Sequence, residues 1–319
     1  MEKTPPTSRS RKYIWIALIA FILLVMFIVI FGAVAGSLMG GVSLHGSVAL
    51  LEVRGTIYDA TPLIEELHAY RDNSSVRAIV VRVETPGGSA SASQELFEEI
   101  RKIQKKGKKP VVASMGAVAA SGGYYIACGA GEIFANPATM TGSIGVIMNF
   151  ANWETLIKKI GIEFQVVKSG KFKDIGSPHR SLEEDERALL EKVINDVYDQ
   201  FYTAVLDARK PALEKSFEKL SGEDTEFAHL ENVEQYLKLL ADGRIFTGRQ
   251  ARNYGFVDKL GNLDDAVERA ADLGNIPGEP KVFQKKKRTG ILDILRGEVK
   301  QALGVISPEI PMFEYRLVP

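Results

Sequence analysis

Cysteine is almost absent from this 319-residue chain. Cys128 stands alone, which excludes an intrachain disulfide and any zinc or iron–sulfur site built from several cysteines; the residue reads as a core cysteine. Histidine is scarce too. His45, His68, His179 and His229 show no HExxH or related ligand spacing, so nothing in them marks a metal site. No sign of charge is in surplus: Lys plus Arg and Asp plus Glu both number 40. A net charge of zero argues against a nucleic-acid partner, which needs extra cations to meet phosphates. No GxSxG elbow occurs.

Basic residues are also missing between Lys12 and Arg54, whereas Lys3, Arg9, Arg11 and Lys12 crowd the N-terminus. Between these groups Tyr13–Phe31 runs as nineteen apolar residues without Gly, Pro or charge. As a helix it spans about 28 Å, close to a hydrocarbon core of about 30 Å. The positive-inside bias puts residues 1–12 in the cytoplasm and everything after the span on the outer side of the membrane, extracellular or periplasmic. Ala33-Val34-Ala35 offers the competing reading of a cleaved signal, but the apolar run exceeds the usual 7–15 residues of such a segment. The expected organisation is a cytoplasmic N-terminus (1–12), a transmembrane helix (13–35), a Gly/Ser-rich linker (36–46), a main domain (47–280) and a C-terminal tail (281–319) that opens near the basic run Lys285–Arg288.

Strand and helix signals alternate through the main domain. Strands are expected at Val48–Val53, Val76–Val83, Pro110–Ser114, Glu132–Ala135 and Phe164–Val167. Helices are expected at Thr61–Asp72, Ala92–Lys105, Ser121–Ala130, Trp153–Ile160, Leu182–Lys210 and Leu263–Asp272. The alternation, joined by Gly-rich turns, indicates an α/β fold.

Three stretches carry potential chemistry. In Ser114–Cys128 a strand leads through small residues to Ser121-Gly122-Gly123 at a helix start, where unpaired N–H groups and an exposed hydroxyl coincide. An N-cap serine before a Gly-rich helix explains the same spacing. Glu84–Ser89 (ETPGGS) ends a buried strand with two glycines, either as an oxyanion donor or as a turn. Gly142-Ser143 is equally open. His179 sits in a polar loop with nothing to mark it as a base. Lys168, Lys171 and Lys173 cluster in KSGKFKD, and a lysine base must shed about 3 pKa units, which burial against Phe172 favours. Asp174 opposes that shift, but in an extended segment it faces away from Lys173. Periodicity does not separate Lys171 from Lys173, and a solvated basic turn is the plain reading of the cluster.

Together ETPGGS (84–89), MGAVAASGGYYIAC (115–128), TMTGSIGVI (139–147), VVKSGKFKDIGSP (166–178) and DGRIFTGRQA…GFVDKLG (242–261) resemble the signal peptide peptidase family of the Ser/Lys type, protease IV-like, in its short bacterial form. They are spread, in order, over residues 84–261 of the main domain. The resemblance implies a Clp protease/crotonase-like fold of stacked strand–strand–helix units assembling into a homo-oligomeric ring. It implies Ser121 as nucleophile, Lys173 as general base, Ser143 as the hydroxyl that orients the lysine, and the N–H groups of Gly88 and Gly122 as oxyanion donors. Substrates would be peptides, including signal-peptide remnants and other unfolded apolar segments, and no cofactor is implied. Two other readings fit less of the sequence: a crotonase-type acyl-CoA enzyme, which would meet no CoA outside the membrane, and a non-catalytic peptide-binding scaffold.

Overall fold

A computed structural model describes residues 18–27, 46–223, 226–284 and 314–316. The chain divides into two units, Met1–Leu44 and His45–Pro319, a division that falls inside the expected linker. Residues 1–12 and most of the linker and tail lie outside the described residues.

In the first unit, residues 18–27 form a helix (α1) whose apolar side chains, Leu18 through Phe27, are exposed. They fall within the expected span, whose flanks are not described. Among the described residues no helix is long and apolar enough to cross a membrane.

The second unit is built on a largely parallel sheet. Its first strand, β1 (Ser47–Arg54), alternates its side chains between two cores. Ala49, Leu51 and Val53 enter the larger one, and Val48 and Leu50 the smaller. A strand covered on both faces reads as a continuous apolar run, as VALLEV does. Next come α2 (Thr61–Asp72), β2 (Val76–Thr85), the short β3 (Gly87–Ser89), α3 (Ala90–Lys105), β4 (Val111–Ala120), α4 (Gly122–Ala127), β5 (Glu132–Ala135) and β6 (Met140–Gly142). They are followed by α5 (Glu154–Lys159), α6 (Glu184–Glu223), α7 (Val233–Leu240), β7 (Ile245–Thr247), α8 (Gly248–Asn253), β8 (Lys259–Leu260), α9 (Leu263–Leu273), β9 (Lys281–Phe283) and β10 (Glu314–Arg316). The sheet order is β7-β6-β4-β2-β1-β9, with β5 paired to β4 and β8 to β5. All these pairs are parallel except β6–β7. The helices α2, α3, α4, α6 and α7 bury their apolar stripes in the larger core, and α9 closes the other face through Ala266, Val267 and Ala270.

Several elements depart from the sequence reading. The strand expected at Pro110–Ser114 runs on to Ala120 because the small residues Val118–Ala120 find a partner in β6, which the sequence had not signalled. Helix α6 continues past Pro211 to Glu223. Proline costs one backbone bond there, but Leu213 and Leu220 beyond it are buried, and their burial outweighs the loss. Phe164–Val167 is no strand: it is irregular and exposed, with no neighbouring strand to pair with among the described residues. Lys281–Phe283, the start of the expected tail, pairs with β1 as an edge strand, so the sheet runs slightly beyond residue 280.

Candidate active site

Three of the stretches marked in the sequence meet at the carboxyl ends of adjacent parallel strands; KSGKFKD does not join them. Thr85 on β2 pairs with Ala119 on β4, and Ala120 pairs with Gly142 on β6. The loops after these strands are ETPGGS, ASGG and TGS. This edge of an open α/β sheet is where loops from several strands converge.

Ser121 is the junction between β4 and α4. Its backbone has φ 55° and ψ −116°, a conformation that L-residues seldom adopt, and it is 1% exposed. It is held there by its neighbours: its N–H donates to the Gly142 carbonyl (2.8 Å), and its carbonyl accepts from the Tyr125 N–H (2.9 Å). The hydroxyl oxygen, although buried, has no hydrogen-bond partner. A strained serine with an unsatisfied buried hydroxyl departs from what stability alone would select. It makes no side-chain cap bond, so the N-cap reading that competed in the sequence does not explain it.

The ETPGGS loop is fastened beneath it. Thr85 Oγ1 donates to the Gly55 carbonyl (2.5 Å) and accepts from the Gly87 N–H (3.0 Å). Ile57 clamps the two glycines: its N–H donates to the Gly87 carbonyl (2.9 Å) and its carbonyl accepts from the Ser89 N–H (2.6 Å). Gly88 has φ +155°, and a Cβ there would lie 2.1 Å from the Ile57 oxygen. Gly123 packs on Thr85 so closely that a Cβ would meet its Cγ2 at 2.7 Å. Thr85, inside the ETPGGS stretch but not among the expected site residues, therefore ties the Gly88 loop to the start of α4. Antiparallel to β3 runs β10, with Tyr315 opposite Gly88.

Ser143 follows at φ 53°, nearly buried, with its N–H on the Arg244 carbonyl (2.8 Å). Gly142 beside it has φ +81° and abuts Phe246, so β7 holds this loop in place. Ser121, Gly88, Gly122 and Ser143 are thus assembled on one sheet edge. Lys173 is not bonded to Ser121, whose hydroxyl has no partner. It is exposed, in a turn where its N–H donates to the Gly170 carbonyl (3.1 Å), not in the extended segment expected.

The three lysines of KSGKFKD nevertheless separate. Lys171 forms an ion pair with Asp185, which raises its pKa and keeps it protonated. Lys168 donates to Asp174 (2.6 Å). Lys173 alone of the three makes no ion pair among the described residues. His179 stacks on Phe164 with ring centroids 4.6 Å apart, and its buried Nε2 has no partner. Cys128 is buried at the C-terminal cap of α4, and burial pushes its thiol up to about 12, which leaves it inert as a nucleophile. Among the described residues no group of His, Cys, Asp and Glu is arranged to hold a metal ion.

A strained, unsatisfied serine hydroxyl at the carboxyl edge of an α/β sheet, flanked by glycine backbone, suits nucleophilic acyl transfer. Known proteins agree on that class. A 39% identical stretch of 236 residues, 73% of this chain and 76% of the other, is shared with "Putative protease slr0021" of Synechocystis. "Serine protease SPPA, chloroplastic" of Arabidopsis thaliana is 33% identical over 80% of this chain and 35% of its own length. "Putative signal peptide peptidase SppA" of Enterococcus faecium is 34% identical over 73% of this chain and 61% of its own. The family model for Peptidase family S49 matches residues 103–223 and 230–276. The chain belongs to peptidase family S49 and is a serine protease.

Proposed function

We propose that this chain is a membrane-anchored endopeptidase with a Ser/Lys dyad, cleaving signal-peptide remnants and other unfolded apolar segments on the outer side of the cytoplasmic membrane. The observation that carries the reading is the Ser121 hydroxyl, buried, strained and unpartnered. In the proposed reaction neutral Lys173 takes the Ser121 proton as Oγ attacks the substrate carbonyl. The N–H groups of Gly88 and Gly122 hold the resulting oxyanion. Lys173 returns the proton to the leaving amine, and water then releases the acyl group by the same route. Ser143 orients the lysine.

The base comes to Ser121 from a neighbouring copy. Two features support this. Lys173 is exposed, and the segment around it shows Trp153, Leu156, Ile160, Phe164 and Val167 to solvent, an apolar surface of the kind that oligomer interfaces cover. α5 within it buries no side chain at all. A homo-oligomeric ring covers this surface and completes the dyad.

The substrate is proposed to lie as an extended strand along β3. The chain's own β10 pairs there antiparallel, so this edge accepts an added strand. The signal-peptide substrate class rests on the name of the E. faecium relative and on the apolar span at 13–31, which anchors the site beside the membrane where such remnants lie. The test is labelling of the purified protein with a fluorophosphonate, followed by mass spectrometry. The label is expected on Ser121; labelling elsewhere, or none in a preparation that hydrolyses peptides, would overturn the assignment.

A further inference from the structure

We infer that Arg180 is the positioning residue for Lys173, fixing the lysine's turn to the first turn of α6 and occupying the carboxylate beside it. The inference rests on the Ser/Lys reading above.

Lys173 and Asp174 share a turn closed by the Ile175 N–H on the Phe172 carbonyl (3.2 Å), and Asp174 opens the next, closed by the Ser177 N–H on its carbonyl (3.1 Å). The Asp174 carboxylate accepts from Arg180 Nε (3.0 Å) and from Lys168 Nζ (2.6 Å). Arg180 also donates from Nη2 to the Asp174 carbonyl (3.3 Å), so it grips both backbone and side chain of the residue next to Lys173. Its other edge meets Glu186 in a bidentate pair, Nη1 to Oε2 at 2.7 Å and Nη2 to Oε1 at 2.5 Å. Glu186 is 1% exposed and its Oε2 also accepts from the Glu183 N–H (3.0 Å). It sits in the first turn of α6, a helix fastened further along by the buried Arg209, which bonds Asp258 at 2.7 and 2.8 Å. A guanidinium fork is the one side chain that can engage two carboxylates and a carbonyl at once in fixed geometry.

The consequence for chemistry is twofold. First, the turn carrying Lys173 is held against a 40-residue helix, while the apolar segment before it is largely exposed. Second, a carboxylate adjacent in sequence to the base is neutralised. A free Asp174 would attract the Lys173 ammonium and hold its proton. The charged groups around this turn are Lys168, Lys171, Arg180, Asp174, Glu183, Asp185 and Glu186. Arg180 and Lys168 take up Asp174, Arg180 takes up Glu186, and Lys171 takes up Asp185.

The experiment compares full-length wild type, Lys173→Ala, Arg180→Ala, Arg180→Lys and Arg180→Ala/Asp174→Asn in detergent, on one fluorogenic peptide across pH. Arg180→Ala is expected to lower kcat by about 10- to 100-fold, the effect of a misplaced catalytic group, with KM within about twofold. The ascending limb of its pH profile is expected to move to higher pH. Adding Asp174→Asn is expected to return the limb to the wild-type position without restoring kcat. Arg180→Lys, which keeps the charge but not the fork, is expected to recover part of kcat. Should Arg180→Ala fail to fold, Arg180→Lys is read for kcat and Asp174→Asn alone for the limb. Inactive Lys173→Ala beside an Arg180→Ala that matches wild type in kcat and pH limb overturns the inference and leaves the dyad standing. An active Lys173→Ala overturns the dyad itself, and the role of Arg180 with it.

Discussion

At the scale of single residues the site turns on side chains with no other employment. The Ser121 hydroxyl has no hydrogen-bond partner, and Lys173 has no counter-ion among the described residues, whereas Lys171 is paired with Asp185. Ser121→Ala and Lys173→Ala are each expected to reduce peptide hydrolysis by at least about a thousandfold. Lys171→Ala and His179→Ala should stay within about threefold of wild type, as read by steady-state kinetics. Loss in His179→Ala equal to that of Ser121→Ala would point to a histidine base. Acid should loosen the turn of Lys173. Asp174 and Glu186 are held below the usual carboxylate range by Arg180, Glu186 at about 2. A depressed folded-state pKa gives stability that is complete above the unfolded value near 4 and is lost as pH falls through the folded one. Melting temperature is therefore expected to fall between about pH 4.5 and 2, and the fall should be smaller in Arg180→Ala.

Elements decide how these residues come together. Helix α6 crosses the larger core through Phe201, Val205, Leu213 and Leu220, and Arg209 locks it to the β5–β8 corner by way of Asp258, whose Oδ2 also accepts the Ile133 N–H (2.8 Å). Arg209 is 5% exposed. Replacing it with Ala leaves Asp258 without its partner and is expected to cost about 3–5 kcal/mol in urea unfolding, the range for breaking a buried pair. Gly88→Ala should fail differently, since a methyl group there collides with the Ile57 carbonyl at a φ that side chains avoid. Its expected signature is lost fluorophosphonate labelling together with lowered stability. Most elements were legible from periodicity, α2 to the residue, because their apolar stripes match what they bury. Those missed or misjudged, β6, α7, the end of β4 and Phe164–Val167, depend on what lies beside them. A three-residue strand such as Met140–Gly142 has no period of its own to read.

For the whole molecule the open question is what completes the edge around Ser121. If a neighbouring copy brings Lys173, then mixing Ser121→Ala and Lys173→Ala protomers should restore activity to about a quarter of wild type or less, since only some interfaces then pair two intact groups. No recovery in verified mixed oligomers would mean that each protomer supplies both groups. The tail bears on the same edge, because β10 occupies β3 beside Gly88. Removing residues after Gln284, which spares the edge strand Lys281–Phe283, is expected to raise turnover of small peptides if β10 competes with substrate. If the tail instead docks on lipid, turnover stays the same and liposome binding weakens.

The sequence by itself determined that the chain is α/β, that nineteen apolar residues precede the main domain, and that Ser121, Gly88, Ser143 and the KSGKFKD lysines are the residues to examine. Those facts are local: they depend on composition, on periods of 2 and 3.6, and on motifs a few residues long. Only the tertiary structure decided that Ser121 is strained and unpartnered, that Thr85 binds the Gly88 loop to α4, and that Lys171 and Lys168 are neutralised while Lys173 is not. Each of those depends on groups from different turns or elements meeting in a common environment, even where, as with Lys168 and Asp174, they lie near each other in the chain. The ion pair of Arg180 with Glu186 on α6 shows why: neither residue type nor spacing reveals which carboxylate a guanidinium will find until the helix and the turn are packed together.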